Sequence, residues 1–327
     1  MITVVLTALS VPAAAAQDAI PAPILRIALE AGGTFTWVLR VMHTLGLDSR
    51  HGLTLEPTLF ATKAAAEAAL RAGDADVKVD DWLFVSWARA QGLRVRAVDG
   101  FSNSVGGVVV RSDGPIRKIA DLRHRRIGVT SIADKGYLAL RAVAAAQDGF
   151  DPQTVSDVLP AAPLLLTQLL ERGDVDAIVQ YWQFIPGLVA TGRFRELAST
   201  AALVRRLAPG ADLPFLVIVS TDDVIRSRPG LLRAFLASVR EGAAALESRR
   251  DLWDELFNDG ALGVPDRALI PGLMARYRTG MAGRWDQVTI DGLEALTARL
   301  VEVAGPDIMG VSRMDPAAYS TQLVRPP

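Results

Sequence analysis

Apolar and polar positions along the chain switch between two periods. Ile24-Leu-Arg-Ile-Ala-Leu29 reads as a first strand and Leu53 to Leu59 alternates as a strand, whereas Lys63 to Arg71 and Trp82 to Gln91 carry apolar residues at helical spacing. Ala75 to Val79 and Leu93 to Val98 read as further strands, and glycines at 52, 73 and 92 mark the ends of segments. Strand and helix thus alternate, which predicts an α/β chain whose parallel-rich sheet is covered by helices on both faces. The turn Glu30-Ala-Gly-Gly-Thr34 lies between the first strand and a helix starting at Phe35. Glycine lets backbone N–H groups approach a ligand there, so Gly33, Thr34 and Phe35 are candidate contacts, although a lone Gly-Gly taken in isolation reads first as a plain tight turn.

One stretch is written twice. Arg71-Ala-Gly-Asp-Ala-Asp-Val-Lys-Val-Asp-Asp-Trp82 returns one hundred residues later as Glu171-Arg-Gly-Asp-Val-Asp-Ala-Ile-Val-Gln-Tyr-Trp182, and each copy follows an apolar helical run. Each reads as helix, glycine stop, short strand, then tryptophan at the strand exit, so the chain is expected to contain two similar α/β halves. In open α/β sheets the carboxyl ends of the strands face the ligand crevice. Asp80, Asp81 and Trp82 are therefore expected to face Gln180, Tyr181 and Trp182 across a cleft, with a core position for either tryptophan as the alternative. Asp80 and Asp81 are adjacent on a strand end and point opposite ways, which suits one site carboxylate better than a dyad.

After residue 100 the texture changes. Phe101-Ser-Asn-Ser-Val-Gly-Gly is a polar, glycine-bearing loop, which places Ser102 and Asn103 among the candidate contacts, and it runs into the β-branched stretch ending at Arg111. Val105 to Arg111 reads as a strand crossing between domains, with Leu213 to Ser220 as its partner. Between them lies a complete α/β unit: strands at Arg126 to Thr130, Val155 to Leu159 and Ala177 to Gln180, with helices ending at Asp148, over Pro163 to Arg172 and over Trp182 to Ala190. Ser131 or Asp134 can cap the first of these helices, whose free N–H groups together with Lys135 suit a polar or negatively charged ligand. Capping needs no ligand, however. Pro229 to Ser248 has helical spacing, and the chain beyond it is mostly helical to about Val303. The expected division is a signal peptide at 1–16, a discontinuous first lobe at 17–104 and 221–327, and a second lobe at 105–220 with the hinge strands.

Composition narrows the function. A net charge of -1 over 327 residues, with scattered arginines, offers no field for nucleic acid or an anionic membrane. With 50% hydrophobic residues the chain can bury two cores. It has no cysteine, which excludes a thiol nucleophile or thiolate metal site and suits an oxidising compartment. His43 and His51 lack a partner at metal-ligand spacing, so no metal and no cofactor are expected. Lys63, Lys78, Lys118 and Lys135 are the only lysines, which reads as genomic bias toward arginine. Ile2 to Val11 followed by Ala13 to Ala16 resembles a signal peptide cut near Ala16, although no basic residue precedes Arg26. No later apolar run reaches the roughly 18 residues that span a bilayer.

The order of these pieces resembles the periplasmic solute-binding proteins of ATP-driven importers, in the nitrate/sulfonate/taurine and thiamine-precursor (NMT1/THI5-like) group. The resemblance rests on Arg71 to Asp76, Gly92 with its following strand, Val108 to Ile116, Ala120-Asp-Leu-Arg-His-Arg-Arg-Ile-Gly-Val129, and Arg172 to Ala177, about half of the mature chain. Where such proteins usually carry a turn glycine, this chain has His124, expected at the surface. The resemblance implies a two-lobed periplasmic-binding-protein fold with two crossing hinge strands, a ligand held between lobes that close on it, and docking onto an ABC permease from the periplasm. A monomer is expected. Tryptophan, tyrosine and carboxylate at the strand exits favour an aromatic, amine-bearing or hydroxylated organic solute over a sulfonate or nitrate, because free carboxylates repel an anion. Two rivals remain: a binding or sensor protein without an importer, and an enzyme on the same fold. The related synthases would call for a cysteine-rich motif and an active-site histidine, neither of which is present, so no catalytic residue is expected.

Overall fold

The computed structural model describes residues 24–30, 33–103, 105–208 and 213–323. The expected signal peptide lies outside them. No helix among the described residues is long and apolar enough to cross a membrane. Ten strands among the described residues form two five-stranded sheets. In chain order they are β1 (Ile24–Glu30), β2 (Thr54–Phe60), β3 (Val77–Asp81), β4 (Val95–Ser102), β5 (Gly106–Arg111), β6 (Arg126–Val129), β7 (Asp157–Pro160), β8 (Ala177–Tyr181), β9 (Phe194–Ser199) and β10 (Leu216–Thr221).

The first sheet runs β2-β1-β3-β10-β4 and the second β7-β6-β8-β5-β9. In each, three strands pair in parallel and the fourth strand in order is antiparallel to both neighbours. The expected partnership of the two β-branched strands does not form. β5 pairs with β8 and β9 in the second sheet, and β10 pairs with β3 and β4 in the first. Each crosses into the sheet opposite the one the chain has just left. The physical reason is burial: both strands are almost wholly buried, and the middle of a sheet covered on both faces is where such runs belong.

The repeat is a structural one. The helices Lys63–Ala72 and Pro163–Arg172 both stop at a glycine in the left-handed region, Gly73 at φ 79° and Gly173 at φ 80°, where a side chain would be strained. Arg26 N, Nε and Nη2 donate to the Asp76 carboxylate at 3.0, 3.3 and 2.8 Å, and Arg126 repeats this on Asp176 at 2.9, 3.3 and 3.0 Å. In both halves the peptide N–H of the aspartate returns to the arginine carbonyl at 2.8 Å. His124 stands at φ 59°, the one non-glycine residue with positive φ among the described residues, which explains the glycine usual at this turn in the family it resembles.

The strand Phe194–Ser199 and the helix Thr200–Leu207 have no counterpart in the sequence reading, and the Gln287–Ala304 helix packs on the helices Lys135–Asp148 and Thr200–Leu207 that cover the second sheet.

Candidate functional site

The exits of β1 and β3 in the first sheet and of β6 and β8 in the second converge on a cavity of about 530 Å³. Gly33, Thr34, Phe35, Asp80 and Asp81 line it from one side, Ser131, Asp134, Lys135, Tyr181 and Trp182 from the other. Four sequence candidates stand away from it. Trp82 is fully buried, donates from Nε1 to Thr297 Oγ1 at 2.9 Å and packs edge-on against Phe215, so it is a core side chain. Gln180 is buried too; its Nε2 donates to the Pro163 carbonyl at 2.7 Å and its Oε1 accepts the Tyr181 N–H at 2.8 Å. Ser102 Oγ and the Asn103 N–H both donate to the Gly280 carbonyl, at 2.8 and 2.9 Å, tying β4 to the end of the Ile270–Gly280 helix. These residues meet backbone because the strand runs on through Ser102, where the sequence predicts a loop.

The floor of the cavity is an ion cluster. Lys63 Nζ lies 2.6 Å from Asp80 Oδ1 and 2.7 Å from Asp81 Oδ2. Lys78 closes on the other oxygen of Asp80 from below, with its ammonium 4.7 Å from the centroid of the Phe84 ring. Asp81 Oδ1 also accepts the N–H groups of Leu83 and Phe84 at 3.0 and 3.1 Å, capping the Trp82–Ala90 helix. Burial alone would lower the Lys63 pKa, but the facing Asp81 and Asp80 charges outweigh it and hold it well above the ordinary lysine value. Burial likewise acts to raise Asp81, yet Lys63 and Lys135 hold it well below the usual carboxylate range. Both carboxylates are thus neutralised from within the protein, which removes the inference that free Asp80 and Asp81 would repel an anion.

Opposite this floor, Asp134 caps the Lys135–Asp148 helix by accepting the Tyr137 N–H at 3.0 Å. Burial pushes the Asp134 carboxyl up, against the hydrogen bonds from Tyr137 and Thr130 and the charge of Lys135. Burial, then the Asp134 charge, raise the Tyr181 phenol. Glu30, at the exit of β1, is raised by burial, with Lys63 pulling it down and Asp80 pushing it up. Trp182 sits edge-on against Trp37 with ring centroids 5.5 Å apart, and Trp37 stands in the same way against Trp253 at 5.6 Å. A side chain from the exit of the second sheet therefore closes onto the aromatic core beside the first. Trp37 and Trp253 spend their indole N–H groups on the carbonyls of Ala261 and Leu246 at 2.9 and 2.8 Å. The Trp182 indole N–H has no partner among the described residues, and this ring lines the cavity.

Sequence reasoning missed Lys63, Glu30 and Thr130, all of which line the cavity. For Lys63 a signal existed. Arginine has replaced lysine almost everywhere in this chain, and three of the four lysines, at 63, 78 and 135, stand in or directly beneath the cleft. A compact ammonium with three donors fits between two carboxylates where a planar guanidinium does not, so lysine rarity marks chemistry as well as genomic bias.

Two five-stranded mixed sheets flanked by helices, with the chain crossing from one to the other at β5 and back at β10 and a cavity at their facing ends, define the fold of the periplasmic binding proteins. The alkanesulfonate-binding protein SsuA from Xanthomonas axonopodis pv. citri, bound to MOPS, superposes with a TM-score of 0.70 at 18% identity, covering 93% of this chain and 99% of that one. The aliphatic sulphonate binding protein SsuA from Escherichia coli gives 0.71 at 17%, covering 88% and 90%. The desulfurization enzyme DSZB gives 0.62 at 17%, covering 92% and 97%. At such identities the likeness is one of fold. The chain itself belongs to the NMT1/THI5-like family, whose model matches residues 46–249. No curated protein sequence matches it.

Proposed function

We propose that the protein is the extracytoplasmic solute-binding component of an ABC importer. The two sheets are the cores of two lobes, a small organic solute is held between them, and the closed form is handed to a membrane permease from the periplasmic side. The observation that carries this reading is the Trp182 indole, which lines the cavity, rests on Trp37 and has an N–H donor with no partner among the described residues. A solute that accepts this hydrogen bond touches both lobes at once, which is what biases a hinge toward closure.

For the solute, an aromatic, amine-bearing or hydroxylated molecule fits best. Tyr181 and Trp182 supply faces for a flat or apolar body. Glu30 and Asp134, the two lining carboxyls outside the lysine cluster, supply acceptors for an amine or hydroxyl. A second reading, a sulfonate, is favoured by Lys135 at the start of its helix and by the half-exposed Lys63. Catalysis on this fold, as in the desulfurization enzyme, is the less favoured alternative, because Asp80, Asp81 and Asp134 are engaged in lysine pairs or helix caps.

A thermal-melt panel of pyrimidines, aromatic amines, polyols, sulfonates and nitrate tests the reading. A solute at a hundred times its Kd stabilises by about 2.7 kcal/mol, a rise on the order of 5 to 10 °C. A compound that raises the melt and is recovered unchanged supports binding. One that is consumed overturns it in favour of an enzyme, and a sulfonate-only response replaces the amine reading.

A further inference from the structure

A second cavity, of about 920 Å³, lies at the end of the first sheet remote from the cleft. Its position follows from strand register. β3 reaches the cleft at Asp81, which pairs with Leu216 at the start of β10, so the end of β10 at Thr221 and its neighbour Val95 at the start of β4 mark the opposite edge. The cavity walls come from the end of the Trp82–Ala90 helix, the turn into β4, Asp222 and the segment 310–315.

Four arginines and two aspartates face it: Arg89, Arg94, Arg96 and Arg313 against Asp222 and Asp315. Two of the four are fixed. Arg89 Nε donates to Asp315 at 3.0 Å with its Nη1 3.5 Å from Asp222, and Arg96 Nε donates to Asp222 at 2.8 Å. These pairs use up both carboxylates. Arg94 and Arg313 are exposed, come from segments more than two hundred residues apart in sequence, and have no acidic partner among the described residues. The lining therefore carries two guanidinium charges more than its carboxylates cancel. Guanidinium forks match phosphate and carboxylate oxygens in pairs of hydrogen bonds, and the two left unpaired by the aspartates suit a ligand with more than one anionic group. The volume falls in the range of small-molecule sites, larger than a single inorganic anion requires.

We propose that this cavity binds a small polyanion bearing phosphate or carboxylate groups, as a second ligand site independent of the cleft. Arg94 and Arg313 make the direct contacts, and Arg89 and Arg96, held by Asp222 and Asp315, shape the wall behind them.

The test titrates the full chain with pyrophosphate and, separately, with citrate by calorimetry at constant ionic strength. Saturable binding of one or both is expected, weakened at least tenfold in Arg94→Ala/Arg313→Ala and unchanged in Lys63→Met, which alters only the cleft. Which probe binds more tightly separates phosphate from carboxylate as the source of charge. Backbone amide shifts on adding the tighter probe give a readout that needs no variant, and they are expected at 89–96 and 310–315. Absence of binding, binding that survives the double substitution, loss of binding in Lys63→Met, or shifts confined to the cleft would each overturn the proposal.

Discussion

Trp82 and Trp182 occupy equivalent places in the two halves, one hundred residues apart, and truncating each should produce opposite phenotypes. Trp82 is sealed among Phe215, Thr297 and the surrounding core, with no path to the cavity. Trp82→Ala removes a fully buried indole, a change that costs about 3 to 5 kcal/mol through lost transfer energy and the void left behind. At roughly 2 to 4 °C per kcal/mol the melting temperature falls on the order of 10 °C. Solute affinity should change little in the fraction that remains folded. Trp182 instead lines the cavity from the exit of β8 and packs edge-on against Trp37, with ring centroids 5.5 Å apart. Losing that aromatic pair, worth about 0.5 to 1.5 kcal/mol, together with the donor facing the cavity, should weaken binding by about 1 to 3 kcal/mol, roughly 5- to 150-fold. Paired calorimetric melts and titrations with the solute found in the panel measure both quantities on the same samples. A Trp182→Ala protein that binds within twofold of the parent while losing as much stability as Trp82→Ala would refute the ligand-contacting role. A Trp82→Ala protein that melts normally and binds poorly would refute the burial assignment.

Lys63→Met leaves the buried Asp80 with Lys78 as its ammonium partner, and Asp81 with its helix-cap bonds and the charge of Lys135. Because Lys63 is itself half-exposed, a loss of about 2 kcal/mol at pH 7 is expected, below the range for breaking a fully buried pair. Asp81 is held below its unfolded pKa, so its stabilisation is present above about pH 4 and fades on acidification. Denaturant melts from pH 7 downward should therefore show parent and variant converging, and a gap independent of pH would contradict the pairing. Asp99 is the reverse case. Burial, which Arg240 only partly offsets at 2.7 Å, pushes it up to about 6, so the folded state holds a proton that the unfolded chain has released between about pH 4 and 6. This group's contribution to stability falls as pH rises through that window. Asp99→Asn should flatten that part of the stability profile, and an unchanged slope would count against it. His124→Gly should relieve a left-handed backbone worth about 1 kcal/mol, less the entropy of glycine and the bond from its ring to the Val155 carbonyl at 2.9 Å. A thermal melt within about 2 °C of the parent is expected; a drop beyond 5 °C would assign the ring bond a larger role.

Most of the architecture could be read from the sequence because it is local. Helical spacing marks Pro163–Arg172 and Pro229–Ser248 to the residue, and the glycine stops at 73 and 173 follow from sterics within one turn. What periodicity cannot carry is a partner. Val108 to Val110 announces a buried strand but not the strands beside it, so its placement between β8 and β9 becomes visible only in three dimensions. Phe194-Arg-Glu-Leu-Ala-Ser199 lacks clean alternation because Glu196 is held by Arg276 at 2.7 Å, a long-range pair that lets a charge sit in a half-buried strand. The same limit separates the tryptophans. The short strands preceding them are alike, and only the Gln287–Ala304 helix over one and Trp37 against the other decide which is core and which reaches the cleft.

The hundred-residue repeat also supplies a matched comparison inside a single molecule. Arg26 with Asp76 and Arg126 with Asp176 perform one task in two settings, differing chiefly in that Arg228 adds a second guanidinium to Asp76 at 2.7 Å. Among the positions where the copies differ, Asp80 against Gln180 and Asp81 against Tyr181 are the strand exits, and Lys78 against Ile178 lies earlier on the same strands. A residue exchanged between the copies, Gln180→Asp for example, therefore arrives in a backbone already shaped to receive it. Its effect reports the change of chemistry at the strand exit with little of the backbone distortion that accompanies substitution elsewhere.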